Sequence, residues 1–293
     1  MPRLGAHMSI SGGLEKALLR GEKRGCQVIQ IFTRNPNRWV STQLSPKEVD
    51  AFHEARALTS VVPVASHDSY LINLASPYHE KRQRSLQALQ NELVRADLLG
   101  IPYVVMHPGA HMGAGEKKGI RRIAEGLKRI FDRTSHLRVH TLIETTAGQG
   151  TSLGYRFEHL AEIIRQTESQ ERLGVCLDTC HIFAAGYDFG ERGTFDKLIR
   201  EFDAMIGLKR LKLIHVNDSK KERGSRIDRH EHIGEGFIGE RAFSFLLKAP
   251  LFKDLSFILE TPKGADAAGT DLDILNLGVL RRLMEEETID DCI

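Results

Sequence analysis

Cysteine is sparse in this chain: Cys26, Cys176, Cys180 and Cys292 are irregularly spaced among 293 residues, with no CxxC pair. That excludes a disulfide framework and a zinc-finger spacing, and points to free thiols in a reducing compartment. No apolar run approaches the length of a membrane span, and the opening MPRLGAHMSISGG is too short and polar for a secretory leader. The expectation is a soluble, cytoplasmic protein with no membrane partner. An excess of one charge is also lacking, since 41 Lys+Arg face 39 Asp+Glu for a net charge of +2. So even a balance does not announce a nucleic-acid partner. Linkers rich in Pro, Gly or Ser are absent, as is low-complexity sequence, which predicts one domain over residues 1–293. A core of this size buries roughly three quarters of the unfolded chain's surface. Folding therefore needs no structural metal, and any metal here serves function.

Short apolar runs alternate with longer amphipathic segments along the whole chain. This is the pattern of a parallel sheet wrapped in helices. Eight strand candidates stand out: RLGAHMS (3–9), VIQIFTR (28–34), VVPVASHD (61–68), YVVMHPG (103–109), RVHTLIET (138–145), LGVCLDTC (173–180), LKLIHVND (211–218) and LSFILETP (255–262). Between them, segment 79–100 repeats Leu86, Leu89, Leu93 and Ala96 at helical spacing, so one face can pack on a sheet. Ser45-Pro46 reads as a helix start, and Gly100 and Gly207 as helix stops. Acidic residues gather in 158–171 and 285–291, leaving a local basic stretch at 219–226. An open doubly wound sheet would carry GxGxxG after its first strand, and this chain has HMSISGG instead. The predicted fold is a single-domain (β/α)8 TIM barrel.

Metal-capable residues recur at the carboxyl ends of the predicted strands, where barrel active sites gather. They are His67, His107, Glu144, Asp178 with His181 just beyond, His215 and Glu260. The segment DRHEH adds Asp228, His230 and His232, which would point to one side if the loop is extended. A single histidine at a strand end is ordinarily a hydrogen-bonded structural residue. Convergence of this many on one rim is hard to explain that way, because crowded carboxylates need compensation and divalent cations supply it. Imidazole mixed with carboxylate favours zinc or manganese over magnesium or calcium. Nine ligands can serve three ions if one carboxylate bridges, and closely spaced metals recur in phosphoryl transfer. The implied chemistry is phosphate-ester hydrolysis with a metal-bound hydroxide as nucleophile.

With these residues in view, the chain resembles the endonuclease IV family of metal-dependent apurinic/apyrimidinic endonucleases. The resemblance runs from GAHMSISGG (5–13) through SHDSYLINLA (66–75), MHPG (106–109), IETTAGQG (143–150), CLDTCHIFAAGYD (176–188), HVNDSK (215–220) and DRHEHIGEG (228–236) to LETP (259–262). It implies three Zn2+ per chain, with Mn2+ as a partial substitute. His67 and His107 would bind one ion, and Glu144 would bridge it to a second completed by Asp178, His215 and Glu260. His181, Asp228 and His230 would hold the third, which selects His230 over His232. Glu144 and Glu260 are the carboxylates assigned to catalysis. The implied substrate is double-stranded DNA containing an abasic site, cut on its 5′ side to leave a 3′-hydroxyl and a 5′-deoxyribose phosphate; the sequence does not encode an oligomeric state, and a monomer is the default expectation. Removal of 3′ blocking groups, and location on the nucleoid while acting, are implied as well.

The resemblance further implies that Arg34, Arg38, Tyr70 and Leu71 meet the DNA. One position departs from the family: in TRNPNRW (33–39), Asn37 stands two residues before Trp39 where arginine is usual, and Arg38 is its neighbour. Which of the two distorts the DNA stays open. Two rival functions also remain at this stage. A sugar isomerase or epimerase on the same barrel would use a two-metal, carboxylate-rich site, against which five histidines and a third ligand set count. A non-catalytic DNA-binding module would need a stronger basic field.

Overall fold

In a computed structural model that describes residues 1–39, 43–167 and 170–286, eight parallel strands close into a barrel. The barrel strands are β1 (Arg3–Met8), β2 (Val28–Phe32), β3 (Val62–His67), β4 (Tyr103–Met106), β5 (His140–Glu144), β6 (Leu173–Asp178), β7 (Leu211–His215) and β10 (Ser256–Leu259). Two short strands, β8 (Asp218–Ser219) and β9 (His230–Glu231), form a separate antiparallel pair. Each predicted strand is present but ends sooner than its apolar run. In β6, Asp178 caps helix α6 (Thr179–Ala185) by accepting from the His181 amide at 2.8 Å, so Thr179 and Cys180 are helical. Beyond β4, the HPG tripeptide leaves the sheet as a loop.

The remaining described helices are α1 (Glu15–Lys23), α2 (Pro46–Leu58), α3 (His79–Leu98), α4 (Glu116–Arg133), α5 (Phe157–Gln166), α7 (Arg192–Met205), α8 (Glu240–Lys248) and α9 (Leu272–Glu285). Ser45 and Glu48 form a reciprocal capping box at the start of α2, and Pro46 occupies its first turn. In α3, Leu86, Leu89, Leu93 and Ala96 are all buried; each leucine removed from water in this way contributes about 1.5–3 kcal/mol. Gly100 (φ +64°) follows that helix in the left-handed region, as its stop position requires. Acidic segment 158–171 is broken by the end of α5, and 287–293, with Cys292, lies outside the described residues. Cys26, Cys176 and Cys180 are free and buried.

Two apolar layers result. The larger lies between the strands and the surrounding helices. The smaller fills the barrel with Val28, Val64, Ala65, Val105, Leu142, Cys176, Leu213 and Ile258. Strand side chains alternate, so the residue two places on from an inward residue faces the same interior, one pleat nearer the carboxyl rim. Those positions are Gln30, His67, His107, Glu144, Asp178, His215 and Glu260, with His7 supplying β1. The fold thus places a polar ring, one residue per barrel strand, on top of an apolar plug. On β1 the ring depends on Gly5 below it, where a Cβ would fall 1.7 Å from the Val28 carbonyl oxygen.

Candidate metal centre

Glu144 sits at the middle of the ring, fully buried, with imidazoles on both of its oxygens. Its Oε2 lies 3.1 Å from His67 Nε2 and 3.0 Å from His107 Nε2. Its Oε1 lies 2.9 Å from His215 Nδ1 and 3.3 Å from His181 Nδ1. His215 Nδ1 is also 3.3 Å from Glu260 Oε2 and 3.9 Å from Asp178 Oδ2. A third set forms beside these, with Asp228 3.1 Å from His181 Nε2 and 3.4 Å from His230 Nε2. All nine ligand candidates from the sequence therefore converge. Their ligand atoms group as His67, His107 and Glu144; as Glu144, Asp178, His215 and Glu260; as Asp178, His181 and His230; and as Asp228 and His230 with Cys180, each group within 4.8 Å. His230 Nε2 is buried without a hydrogen-bond partner, 3.7 Å from Asp178 Oδ2. An imidazole nitrogen with no hydrogen bond, facing two carboxylates, fits a cation held between them, and the mixed N/O donor set suits zinc or manganese.

The electrostatics agree. Burial alone would lower His67 and His181, yet facing carboxylates, Asp68 and Glu144 for the first and Asp178 and Asp228 for the second, raise both well above 6.5. His215 is raised in the same way, against its burial, by Glu260 and Glu144. Burial pushes Glu144 and Glu260 upward, but His215 and its neighbours hold them well below the usual carboxylate range. His67, His181 and His215 thus favour the protonated form, and Glu144 and Glu260 the ionised one. Cys180 also lies within reach of Asp228 and His230. Burial pushes its thiol up to about 12.

Residues behind the ring orient it. Gln30 accepts from His215 Nε2 at 2.9 Å and donates to Glu260 Oε1 at 2.6 Å, which leaves His215 Nδ1 facing the carboxylates. Asn217 donates to Asp178 at 2.7 Å and accepts from the Glu260 amide at 2.7 Å. The fully buried Asp218 accepts from the amides of Gly234, Gly236, Ile238 and Gly239 at 2.9–3.4 Å. It thereby fastens both ends of the segment that carries Asp228 and His230. A side chain at Gly236 would place its Cβ 2.4 Å from Asp218 Oδ1, so this fastening needs glycine there. Sequence reasoning misses Gln30, His7 and Asn217. The signal for the first two is their place two residues beyond an inward apolar or glycine position. The expectation that Asp228, His230 and His232 share one side is corrected: the chain turns after β9, and His232 Nδ1 instead meets Asn276 Nδ2 at 3.0 Å.

A cleft of about 420 Å³ opens over the ring, lined by His67, Tyr70, His107, Gln149 and Asp228 among others. Tyr70 stands 65% exposed at its edge, edge-on to Phe32, with Leu71 half-buried beside it. Asn37 and Arg38 are exposed, whereas Arg34 is buried against Glu92. The basic stretch 219–226 is partly committed within the protein: Lys220 pairs with Glu231 at 3.3 Å, Arg223 pairs with Asp188, and Arg226 stacks on Tyr155 at 4.5 Å. Among the described residues no helix is long and apolar enough to cross a membrane.

Residues 20–277 match the xylose isomerase-like TIM barrel family. The relative named Probable endonuclease 4 in Chloroflexus aurantiacus is 50% identical over 285 residues, covering 97% of this chain and 99% of that one. Among solved structures, endonuclease IV from Thermus thermophilus superposes with a TM-score of 0.84 at 38% identity, covering 98% of this chain and all of the other. A D-tagatose 3-epimerase-like protein also superposes, with a TM-score of 0.73 at 18% identity over 97% of each chain, which speaks to the barrel alone.

Proposed function

Because the chain belongs to the endonuclease 4 family, we propose that it is a DNA repair endonuclease that hydrolyses the phosphodiester bond 5′ to an abasic site through a three-zinc centre. The observation that carries this reading is the convergence of nine imidazole and carboxylate side chains, Glu144 among them, into overlapping groups of ligand atoms, with His230 Nε2 left without a hydrogen bond. His67, His107 and Glu144 would hold one ion. Glu144, Asp178, His215 and Glu260 would hold the second, and His181, Asp228 and His230 the third. When bound, the ions supply Lewis acidity toward the phosphate and acidify the attacking water. The chain's own part is to fix spacing and orientation. Glu144 sets the distance between two groups of ligands, Gln30 fixes the ring of His215, and Glu260, 18% exposed, borders the substrate side.

A phosphate beside a stacked deoxyribose cannot reach this recessed ring, so the nucleotide must leave the duplex. Extrusion costs a few kcal/mol and is cheapest where no base is stacked, which makes an abasic site the preferred target. Tyr70, Leu71 and Arg38 border the cleft or its neighbouring loop and are suited to fill the vacated stack. We read residues 1–293 as one such domain, a cytoplasmic monomer that also clears 3′ blocking groups. The test is incubation with a duplex carrying one abasic analogue, with and without chelator. A single cut leaving a 3′-hydroxyl, lost with chelator and restored by zinc, is expected; no cut, or a cut indifferent to chelator, overturns the reading. Action on a sugar without action on DNA would instead favour an epimerase.

A further inference from the structure

We propose that Arg34 touches no DNA and is a positioning residue, which with Glu92 presents the loop 35–39 to the duplex. This rests on the preceding reading of the substrate. The Arg34 and Glu92 side chains are 6% and 1% exposed, and the guanidinium Nε donates to Glu92 Oε1. From that anchor Arg34 Nη1 reaches the backbone carbonyls of Arg38 at 2.9 Å and Trp39 at 3.1 Å. Glu92 Oε2 accepts from the Thr33 hydroxyl at 2.6 Å, and Arg95 Nε donates to that hydroxyl oxygen at 3.0 Å. A third loop carbonyl, that of Pro36, accepts from Ser69 Oγ, on the segment that carries His67 and Tyr70.

The loop backbone is therefore gripped from inside at three carbonyls, while the Asn37 and Arg38 side chains are left outside. A buried ion pair is a poor source of net stability, because both charges lose water. Here one nitrogen, Arg34 Nη2, has no hydrogen bond among the described residues. What the pair supplies is geometry, since the planar fork of arginine binds a carboxylate and two carbonyls at fixed angles, and lysine does not. Ser69 ties the same loop to the cleft edge, so the two candidate DNA-facing segments keep a set spacing.

Trp39 is the only tryptophan in the chain and is partly buried against the core, so its fluorescence reports on this loop in the free protein. The experiment compares Arg34→Met and Arg34→Lys with the parent zinc-loaded protein. Expected in both are a red-shifted Trp39 emission that acrylamide quenches more readily, unchanged zinc content, and a KM for abasic duplex raised about tenfold with kcat within about twofold. A direct phosphate contact gives a different result, with parental Trp39 emission and rescue by lysine, and would overturn the proposal. A shifted emission with parental KM would also overturn it, by separating the loop from the substrate. Should Arg34→Met fail to fold, Ser69→Ala removes one anchor without uncovering a charge, and the same emission and KM changes, smaller in size, are required of it. If the parent protein does not bind abasic duplex at all, the proposed substrate falls, while the emission spectra still decide whether Arg34 positions the loop.

Discussion

The strand-borne and loop-borne halves of the centre are built differently. Glu144 and His215 have fully buried side chains on adjoining parts of the barrel, their spacing set by parallel strand pairing. Asp228 has a side chain 40% exposed and reaches the cluster only because the loop around it is fastened by Asp218 and the β8–β9 pair. The barrel gives any sequence of this fold a ring of inward positions at the rim. A loop must be specially held to add ligands to it. The first half is thus general to the architecture, and the second is particular to the chemistry.

Glu144→Ala should produce the largest effect. Changing only the residues behind a ligand costs about 10–100-fold in metal affinity, so removing the carboxylate shared by two groups is expected to exceed that range and abolish cutting. Asp228→Ala should lose only the loop-borne share of the metal. Elemental analysis after gel filtration checks both, and equal losses in the two variants would erase the distinction between the halves.

The pH dependence sharpens the same contrast. In metal-free protein the folded values of His67 and His181 lie above the ordinary 6.5. Their stabilisation is therefore full below 6.5 and is lost as pH rises through the folded values. Glu144 and Glu260, held low, stabilise above the ordinary carboxylate range and lose that contribution as pH falls through their folded values. Metal loading displaces the imidazole protons, so apparent zinc affinity should rise with pH. Thermal melts should consequently move in opposite directions above pH 6.5, down for stripped protein and up for protein in limiting zinc. Parallel trends would show that the imidazoles are not protonated in the metal-free ring.

The smallest effect belongs to His232→Ala. It removes one hydrogen bond to Asn276, a stability loss of about 1 kcal/mol, with zinc content and cutting unchanged. Loss of zinc in this variant would mean that the wrong histidine of DRHEH has been assigned to the loop-borne half.

The strand-borne half is legible in the sequence because alternation along a strand needs no knowledge of distant residues: once Leu142 and Leu213 are inward, so are Glu144 and His215. Gln30 follows the same rule but escapes notice, since an amide in an apolar strand suggests no chemistry until His215 is seen against it, 185 residues away. Arg34 looks DNA-facing in the sequence for a related reason. Its burial depends on Glu92, 58 residues later in α3, and no local pattern marks that pairing. The strand ends are overextended because apolar character continues where hydrogen bonding stops, as at Thr179 and Cys180. His232 shows the limit of spacing arguments in a loop, where one turn redirects a side chain that strict alternation would have sent to the metal.

The carboxylate of Asp218 has a consequence for the order of assembly. Its amide contacts close a ring of chain from residue 218 to residue 239, and Asp228 and His230 ride on that ring. Strand pairing brings together the ligands around Glu144 when the barrel closes, whereas this pair needs a second loop closure with its own entropic cost. The loop-borne pair should therefore be the last part of the ligand cluster to form on refolding, and the first to come apart when the chain opens locally.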